Sequence, residues 1–279
     1  RTGAALTTVV EFAPLPAAFA GAVAAARPRC GIHVVEVRYV PSLPSTMDAA
    51  AALADAGGPH GLVVVAGHQT AGRGRRGHRW SSPPGAGLYF STVVRPPVAP
   101  HVEGAPSLMG LLTLAAGLAV AEGVGHATGL EASLKWPNDL FYGCKLAGVL
   151  AEGHRIGTAE QHVVVGVGIN VLDVPYVSER ERATSLEREL GRVPDAGEVL
   201  AEVLSAWAGR YQDLLDGRYT RVVDRWRLRA TGLAGRPVTW VDARGEHEGT
   251  ATGVDAAGAL LVDTGDEVVR ITSGAVQWQ

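Results

Sequence analysis

At 279 residues the chain is long enough for one full domain and a small second one, each burying its own core. Its 47% hydrophobic and 19% charged residues fit a soluble globular protein, and a formal net charge of -3 carries no global nucleic-acid signature. Two distant cysteines, Cys30 and Cys144, argue against a disulfide framework or a zinc site and for a reducing, cytosolic compartment.

Residues 6–26 are apolar, but Glu11, Pro14 and Pro16 interrupt them and no basic region leads in, so a signal peptide is not expected. No other stretch reads as long and apolar enough to cross a membrane. Residues 17–26 are alanine-dense and predict a packing helix ended by Arg27-Pro28. Residues 33–40 alternate with β-branched enrichment, a strand. Ser45 or Thr46 then stands as N-cap to an alanine-rich helix over 49–56. Residues 62–67 are wholly apolar and suit a buried strand. It leads into a loop over 67–80 that holds Arg73, Arg75, Arg76 and Arg79 among Gly67, Gly72, Gly74 and Gly77 and ends at Trp80. Residues 88–94 form the next strand, closed by Arg95-Pro96-Pro97, and 107–122 a core helix stopped by Gly123 and Gly125.

Residues 131–153 form a second dense region: Lys135-Trp136-Pro137-Asn138-Asp139, a turn at Gly143-Cys144, then Lys145-Leu146-Ala147-Gly148. Pro137 forbids a regular central strand, so 135–139 reads as a kinked crossing, and the turn pairs the flanking strands. Residues 162–171 are a buried strand in which Gly166 and Gly168 remove side chains where a ligand or another strand approaches. A mixed loop over 178–192 precedes helices over 194–215 and 219–228, and 230–233 is the composition shift taken as a domain boundary. Short runs over 237–241, 249–254, 259–262 and 267–271, with turns such as Ala243-Arg244-Gly245, predict a small β-barrel.

Glycines let a backbone approach a ligand, and guanidinium forks take carboxylate and phosphate at two points, so the 67–80 loop looks built around an anion. It could be a solvated surface loop, bind RNA or single-stranded DNA with Trp80 as stacking platform, or close over a small anionic ligand. Lys135 and Lys145 sit in apolar, aromatic surroundings where a lone ammonium is costly to desolvate. A bound anion offsets that cost. Asn138, Asp139 and Asn170 stand where polar groups need partners, or serve as ordinary turn residues.

Gly72-Arg73-Gly74-Arg75-Arg76-Gly77, Lys135-Trp136-Pro137-Asn138-Asp139, Lys145-Leu146-Ala147-Gly148-Val149-Leu150 and Gly166-Val167-Gly168-Ile169-Asn170 together resemble the successive motifs of the biotin protein ligases, over residues 33–279. The resemblance implies a mixed α/β (α+β) catalytic domain of the class II aminoacyl-tRNA synthetase type over 1–232 and an SH3-like barrel over 233–279. It implies ATP and magnesium as cofactors, biotin as substrate, and transfer of biotin to a lysine of a biotin carboxyl carrier domain of biotin-dependent carboxylases. A cytoplasmic monomer or homodimer without nucleic-acid or membrane partners goes with it. A lipoate-attaching relative and a nucleic-acid-binding module are the alternatives.

Carried over to these positions, Ser45, Thr46 and Gln69 bind the ureido head, with the backbone of Arg73 to Arg75 alongside. Gly148, Gly166 and Gly168 accommodate the valeryl tail. Lys145 bridges carboxylate and phosphate. Arg75 and Arg76 meet phosphates, as does His78 more weakly, Lys135 binds ATP, Trp80 packs on adenine, and Asn138 and Asn170 hold the nucleotide. Lys145, Arg75 and Asp139 are the expected catalytic groups, Asp139 acting on the acceptor lysine. The sequence departs from the family at Met47, where asparagine is common, at His78, where arginine is usual, and at Cys144 before the motif lysine. The residues before the first strand leave no room for a full helix-turn-helix.

Overall fold

The computed structural model describes residues 11–97, 108–176, 182–242, 245–272 and 276–279. Strands β1 (Glu36–Val40), β2 (Leu62–Ala66), β3 (Gly87–Val94), β4 (Ser133–Lys135), β5 (Asp139–Tyr142), β6 (Cys144–His154) and β7 (His162–Asn170) form one mixed sheet, ordered β1-β2-β3-β7-β6-β5-β4. Strands β1 and β2 run parallel through the crossover helix α2 (Thr46–Asp55), as parallel neighbours require. The other neighbouring pairs in this sheet are antiparallel.

The period-2 pattern assigns the two faces. On β7, Val163, Val165, Val167 and Ile169 enter a large core under α1 (Ala17–Cys30), α3 (Leu108–Thr128), α5 (Ala196–Leu215) and α6 (Tyr219–Arg229). Val164 instead joins the smaller core of α2 with Met47, Ala50, Val64 and Tyr89. By the same parity Gly166, Gly168 and Asn170 continue the α2 face, and so do Gly148 and Leu150 on β6, while Ala147 and Val149 face the large core. Register places Gly148 opposite Gly168 and Leu150 opposite Gly166. The α2 face therefore ends in a floor to which Gly148, Gly166 and Gly168 contribute no side chains. A short helix α4 (Leu186–Leu190), capped by the Ser185 hydroxyl, lies within the stretch read as loop.

Two helices outrun their predicted stops. Helix α1 passes through Pro28 to Cys30, its last turn held by Arg27 donating to the Val35 carbonyl and Arg29 pairing with Glu202 of α5. Helix α3 runs through Gly123 and Gly125 to Thr128 because Gly123 is a packing glycine rather than a terminator. A Cβ there would stand 2.5 Å from the Val203 backbone of α5. The start of α3 at Ser107 and the Ala243-Arg244 turn lie outside the described residues. Helix α3 also corrects the membrane reading. Met109–Thr128 is long and apolar enough to cross a bilayer, but 72% of its apolar window is buried among the other helices, as a core helix is. Strand β1 begins at Glu36 because Gly31–His33 is taken up by a tight 3-10 turn.

Strands β8 (Pro237–Asp242), β9 (Gly245–Val254), β10 (Leu260–Asp263), β11 (Val268–Ile271) and β12 (Val276–Trp278) form the antiparallel C-terminal sheet, ordered β11-β10-β9-β8-β12. The sequence reading missed β12. Val238, Trp240, Ala251, Leu260 and Val262 carry the large core into this sheet. The Trp136 indole N–H donates to the Gly258 carbonyl at 3.0 Å and the Arg227 guanidinium to the Val254 carbonyl at 2.7 Å, tying the small sheet to the β4–β5 hairpin and to α6.

Candidate functional site

A cleft of about 230 Å³ opens on the α2 face, roofed by the 67–80 loop and floored by Gly148, Gly166 and Gly168. The β4–β5 hairpin and β12 complete its outer wall. Its inner end is polar and uncharged. Gln69 Oε1 accepts from the Thr46 N–H at 2.8 Å and the Thr46 hydroxyl at 3.1 Å, while Gln69 Nε2 donates to the Ser82 hydroxyl at 2.9 Å. The Ser91 hydroxyl donates to Thr46 Oγ1 at 2.8 Å. These partners fix the orientation of the Gln69 amide. Ser45 takes the capping role: its hydroxyl accepts from the Met47 N–H at 3.2 Å, and it lies outside the cleft lining.

The outer end is cationic. The β4–β5 pairing sets Lys135 opposite Asp139, so the motif predicted as a kinked crossing is the closed end of a hairpin, with Trp136-Pro137 as its cis turn. Lys145 enters β6 one hairpin later, and its ammonium meets Asp139 Oδ2 at 2.8 Å. From the loop, Arg75 Nη1 donates to Asn138 Oδ1 at 3.3 Å, and Asn138 Nδ2 donates to the Val149 carbonyl at 2.8 Å. Burial pulls the Arg75 pKa below its ordinary value, with Asp139 opposing that shift and Arg76 adding to it. A guanidinium in that condition gains from an arriving anion. The Lys135 ammonium lies 4.6 Å from the Phe141 ring centre. Arg76, in left-handed backbone conformation at φ 57°, and His78 also border the cleft.

Asn170 is buried at the end of β7 and donates to the Thr184 carbonyl at 2.9 Å and the Lys145 carbonyl at 3.4 Å. It anchors the segment that carries Lys145 while lining the cleft. Trp80 lies over Gly148 and Gly168: a Cβ on Gly168 would stand 2.4 Å from the indole Cε2 and Nε1. The Lys145 ammonium is 5.6 Å from that ring's centre. Met47 covers Gly166 in the same way, its sulfur 2.5 Å from the Cβ position. Arg73 points to the side of the cleft, toward Asp48 at 2.7 Å and Glu152 at 2.5 Å. Burial lowers its pKa, but the two carboxylates outweigh burial and leave it raised.

Ser82 and Ser91 at the inner end, and Tyr176, Val276 and Trp278 at the outer end, were missed in the sequence. The β-formers Val276 and Trp278 on alternate positions were the available signal for β12. Nothing local marked the serines.

Residues 39–170 match the model of the Biotin/lipoate A/B protein ligase family, and residues 234–277 match that of the Biotin protein ligase C terminal domain. The bifunctional ligase/repressor BirA of Bacillus subtilis is 34% identical over 251 residues, covering 88% of this chain and 74% of the relative. The biotin--[acetyl-CoA-carboxylase] ligase of Mycobacterium tuberculosis is 35% identical over 77% of this chain and 78% of its own length. Among solved structures, a biotin protein ligase from Aquifex aeolicus in complex with biotin and ATP superposes with a TM-score of 0.73 at 29% identity, covering 88% of this chain and 98% of that one.

Proposed function

From the premise that the chain belongs to the biotin/lipoate A/B protein ligase family, we propose that it is a biotin–protein ligase that makes biotinyl-5'-AMP and passes biotin to a carrier lysine. One observation carries the assignment to this cleft: a neutral hydrogen-bonding end at Thr46 and Gln69, a glycine floor at Gly148, Gly166 and Gly168, and a cationic end at Lys145 and Arg75 lie in that order. Biotin has the matching sequence of ureido head, apolar tail and carboxylate. Thr46 and Gln69 bind the head, with Ser45 supporting them as helix cap, and the tail lies over Gly148, Gly166 and Gly168. Trp80 must lift from Gly148 and Gly168, and Met47 must shift from Gly166, to admit it, and Trp80 then walls the adenine side.

In the first step a biotin carboxylate oxygen attacks the α-phosphorus of ATP, an acyl–phosphate bond forms, and pyrophosphate leaves. Two anions must meet, so the site has to neutralise both and hold them in line. Lys145 exchanges Asp139 for the incoming carboxylate and the α-phosphate. Arg75, Arg76, His78 and Lys135 take phosphate oxygens, and Asn138 and Asn170 hold the nucleotide. In the second step the acceptor amine attacks the acyl carbon and AMP leaves with the electron pair of the anhydride bond. Asp139, released from Lys145, accepts the proton of the acceptor ammonium.

Magnesium fits this donor set as an ion brought by the triphosphate. Among the described residues no three His, Cys, Asp or Glu side chains gather around a metal position. The ion is commonly held by one or two carboxylates, waters and substrate phosphates. Asp139 is the carboxylate that would hold it here, and the ion would screen phosphate charge.

The acceptor is a biotin carboxyl carrier domain of a carboxylase, the location is the cytoplasm, and neither nucleic acid nor membrane takes part. We assign residues 1–232 to the catalytic unit and 233–279 to the SH3-like one, a division supported by the stretch between α6 and β8. The test is transfer of radiolabelled biotin from ATP and biotin to a purified carrier domain, with lipoate in a parallel arm. Labelling by lipoate alone, or no labelling at all, refutes the assignment.

A further inference from the structure

The guanidinium of Arg73 meets two carboxylates that come from different elements beside the cleft. Asp48 lies in the first turn of α2, 25 residues back along the chain, and Glu152 on β6, 79 residues ahead. Glu152 follows Gly148 and Leu150 at every second position, so parity puts it on the cleft face of β6, opposite Val164 of the α2-side core. The base of the loop is closed on itself: Arg73 and Arg79 pair as a backbone bridge, and the Trp80 N–H donates to the Gly72 carbonyl at 2.9 Å. With the Trp80 indole lying on the floor, a ligand that occupies that floor must displace the indole, and lifting of the loop that carries it does so. Lifting separates Arg73 from Asp48, from Glu152, or from both.

Resting on the ligase reading above, we propose that Arg73, Asp48 and Glu152 form an ionic latch that holds the 67–80 loop down, making the two carboxylates positioning residues for retention of the acyl-adenylate. Neither carboxylate touches the reacting atoms. Their effect falls on how long the loop stays closed rather than on the chemistry. The pairs are partly exposed, Arg73 at 40%, Asp48 at 59% and Glu152 at 28%. Each is therefore worth about a threefold change in release rate, and both together about tenfold. Salt should weaken the latch for the same reason.

The experiment loads wild type, Asp48→Asn, Glu152→Gln and the double variant with biotin and ATP, then follows loss of the labelled adenylate after a chase of unlabelled biotin. The expected result is release about threefold faster in each single variant and about tenfold faster in the double variant. First-turnover adenylate formation at saturating substrate should stay within about twofold, since neither group meets the reacting atoms. Raising salt should speed release from wild type and leave the double variant unchanged, a response that loss of a favourable α2 helix-dipole charge alone does not give. Equal release rates across all four proteins overturn the latch. A wild type that forms no adenylate sinks the ligase reading instead. The latch is then decided by trypsin cleavage within 73–79 in the unliganded proteins, which must be faster in the double variant. Cleavage at the wild-type rate overturns it.

Discussion

Lys145→Ala separates the chemistry of the cleft from its stability. The ammonium–carboxylate pair with Asp139 spans 2.8 Å, but the side chains keep 24% and 17% of their exposure. Its loss should therefore cost about 1 kcal/mol of folding free energy and about 2 °C in Tm. The chemical step should suffer more. Removing one positioned donor from a site where charge develops typically costs about 100- to 1000-fold in rate, or roughly 3–4 kcal/mol. A second effect follows from the partner left behind. Without Lys145, the Asp139 carboxylate faces the incoming biotin carboxylate, and two like charges about 5 Å apart repel by about 3 kcal/mol at an effective dielectric near 20. KM for biotin should therefore rise along with the fall in kcat. Lys145→Ala with Asp139→Asn should recover most of the KM while leaving kcat low. Pyrophosphate release and mass detection of biotinyl-AMP measure the step, beside a thermal melt. A well-folded Lys145→Ala protein forming adenylate within threefold of wild type would refute the role given to Lys145.

Gly168→Ala places a Cβ 2.4 Å from the Trp80 indole and on the floor where the tail lies. Overpacking of this kind costs about 1–3 kcal/mol, so biotin affinity measured by calorimetry should fall about tenfold or more, and unchanged affinity would count against the floor. Trp278→Ala should raise KM for ATP up to about tenfold while leaving biotin affinity intact, because Trp278 borders the outer, cationic end; an unaltered KM for ATP would remove β12 from the nucleotide site. The third concerns pH. His60 donates to His33 at 3.0 Å and accepts the Arg95 N–H at 3.1 Å, and burial, then His33 and Arg95, hold its pKa down at about 4. A histidine kept neutral in the fold contributes stability that is complete above its unfolded pKa near 6.5 and is lost as pH falls from there toward about 4. Because the ring is only half-buried and solvent screens part of the shift, urea unfolding should show about 1 kcal/mol less stability at pH 5 than at pH 7, and His60→Gln should flatten that difference; equal pH dependence in the two proteins would reject the assignment.

Local pattern made much of the fold legible. Alternation marked β1, wholly apolar runs marked β2 and β7, β-formers marked β3, and alanine-rich or amphipathic spacing marked α2, α3 and α5. The motif residues Lys135, Asn138, Lys145, Gly166, Gly168 and Asn170 were picked out before any packing was known, and all of them line one cleft. Errors arose where a long-range contact overrode a local rule. Gly123 stays helical because the α5 backbone needs its space. The apolar window of α3 resembles a membrane span because it is surrounded by other helices rather than by lipid.

The sequence by itself determined which residue types carry the chemistry, since charge, hydrogen-bonding capacity and lack of a Cβ belong to each residue wherever it stands. It also determined which residues of a strand share a face, because a strand's side chains alternate whatever it pairs with. Tertiary structure alone decided who meets whom. Strand register sets Gly148 against Gly168, the hairpin brings Asp139 within 2.8 Å of Lys145, and the crossover through α2 presents Asp48 to Arg73. Two of these contacts join positions 20 or more residues apart and the third closes a hairpin, and their geometry is fixed by strand register and by the packing of the whole sheet between its helices, which residue types alone do not encode.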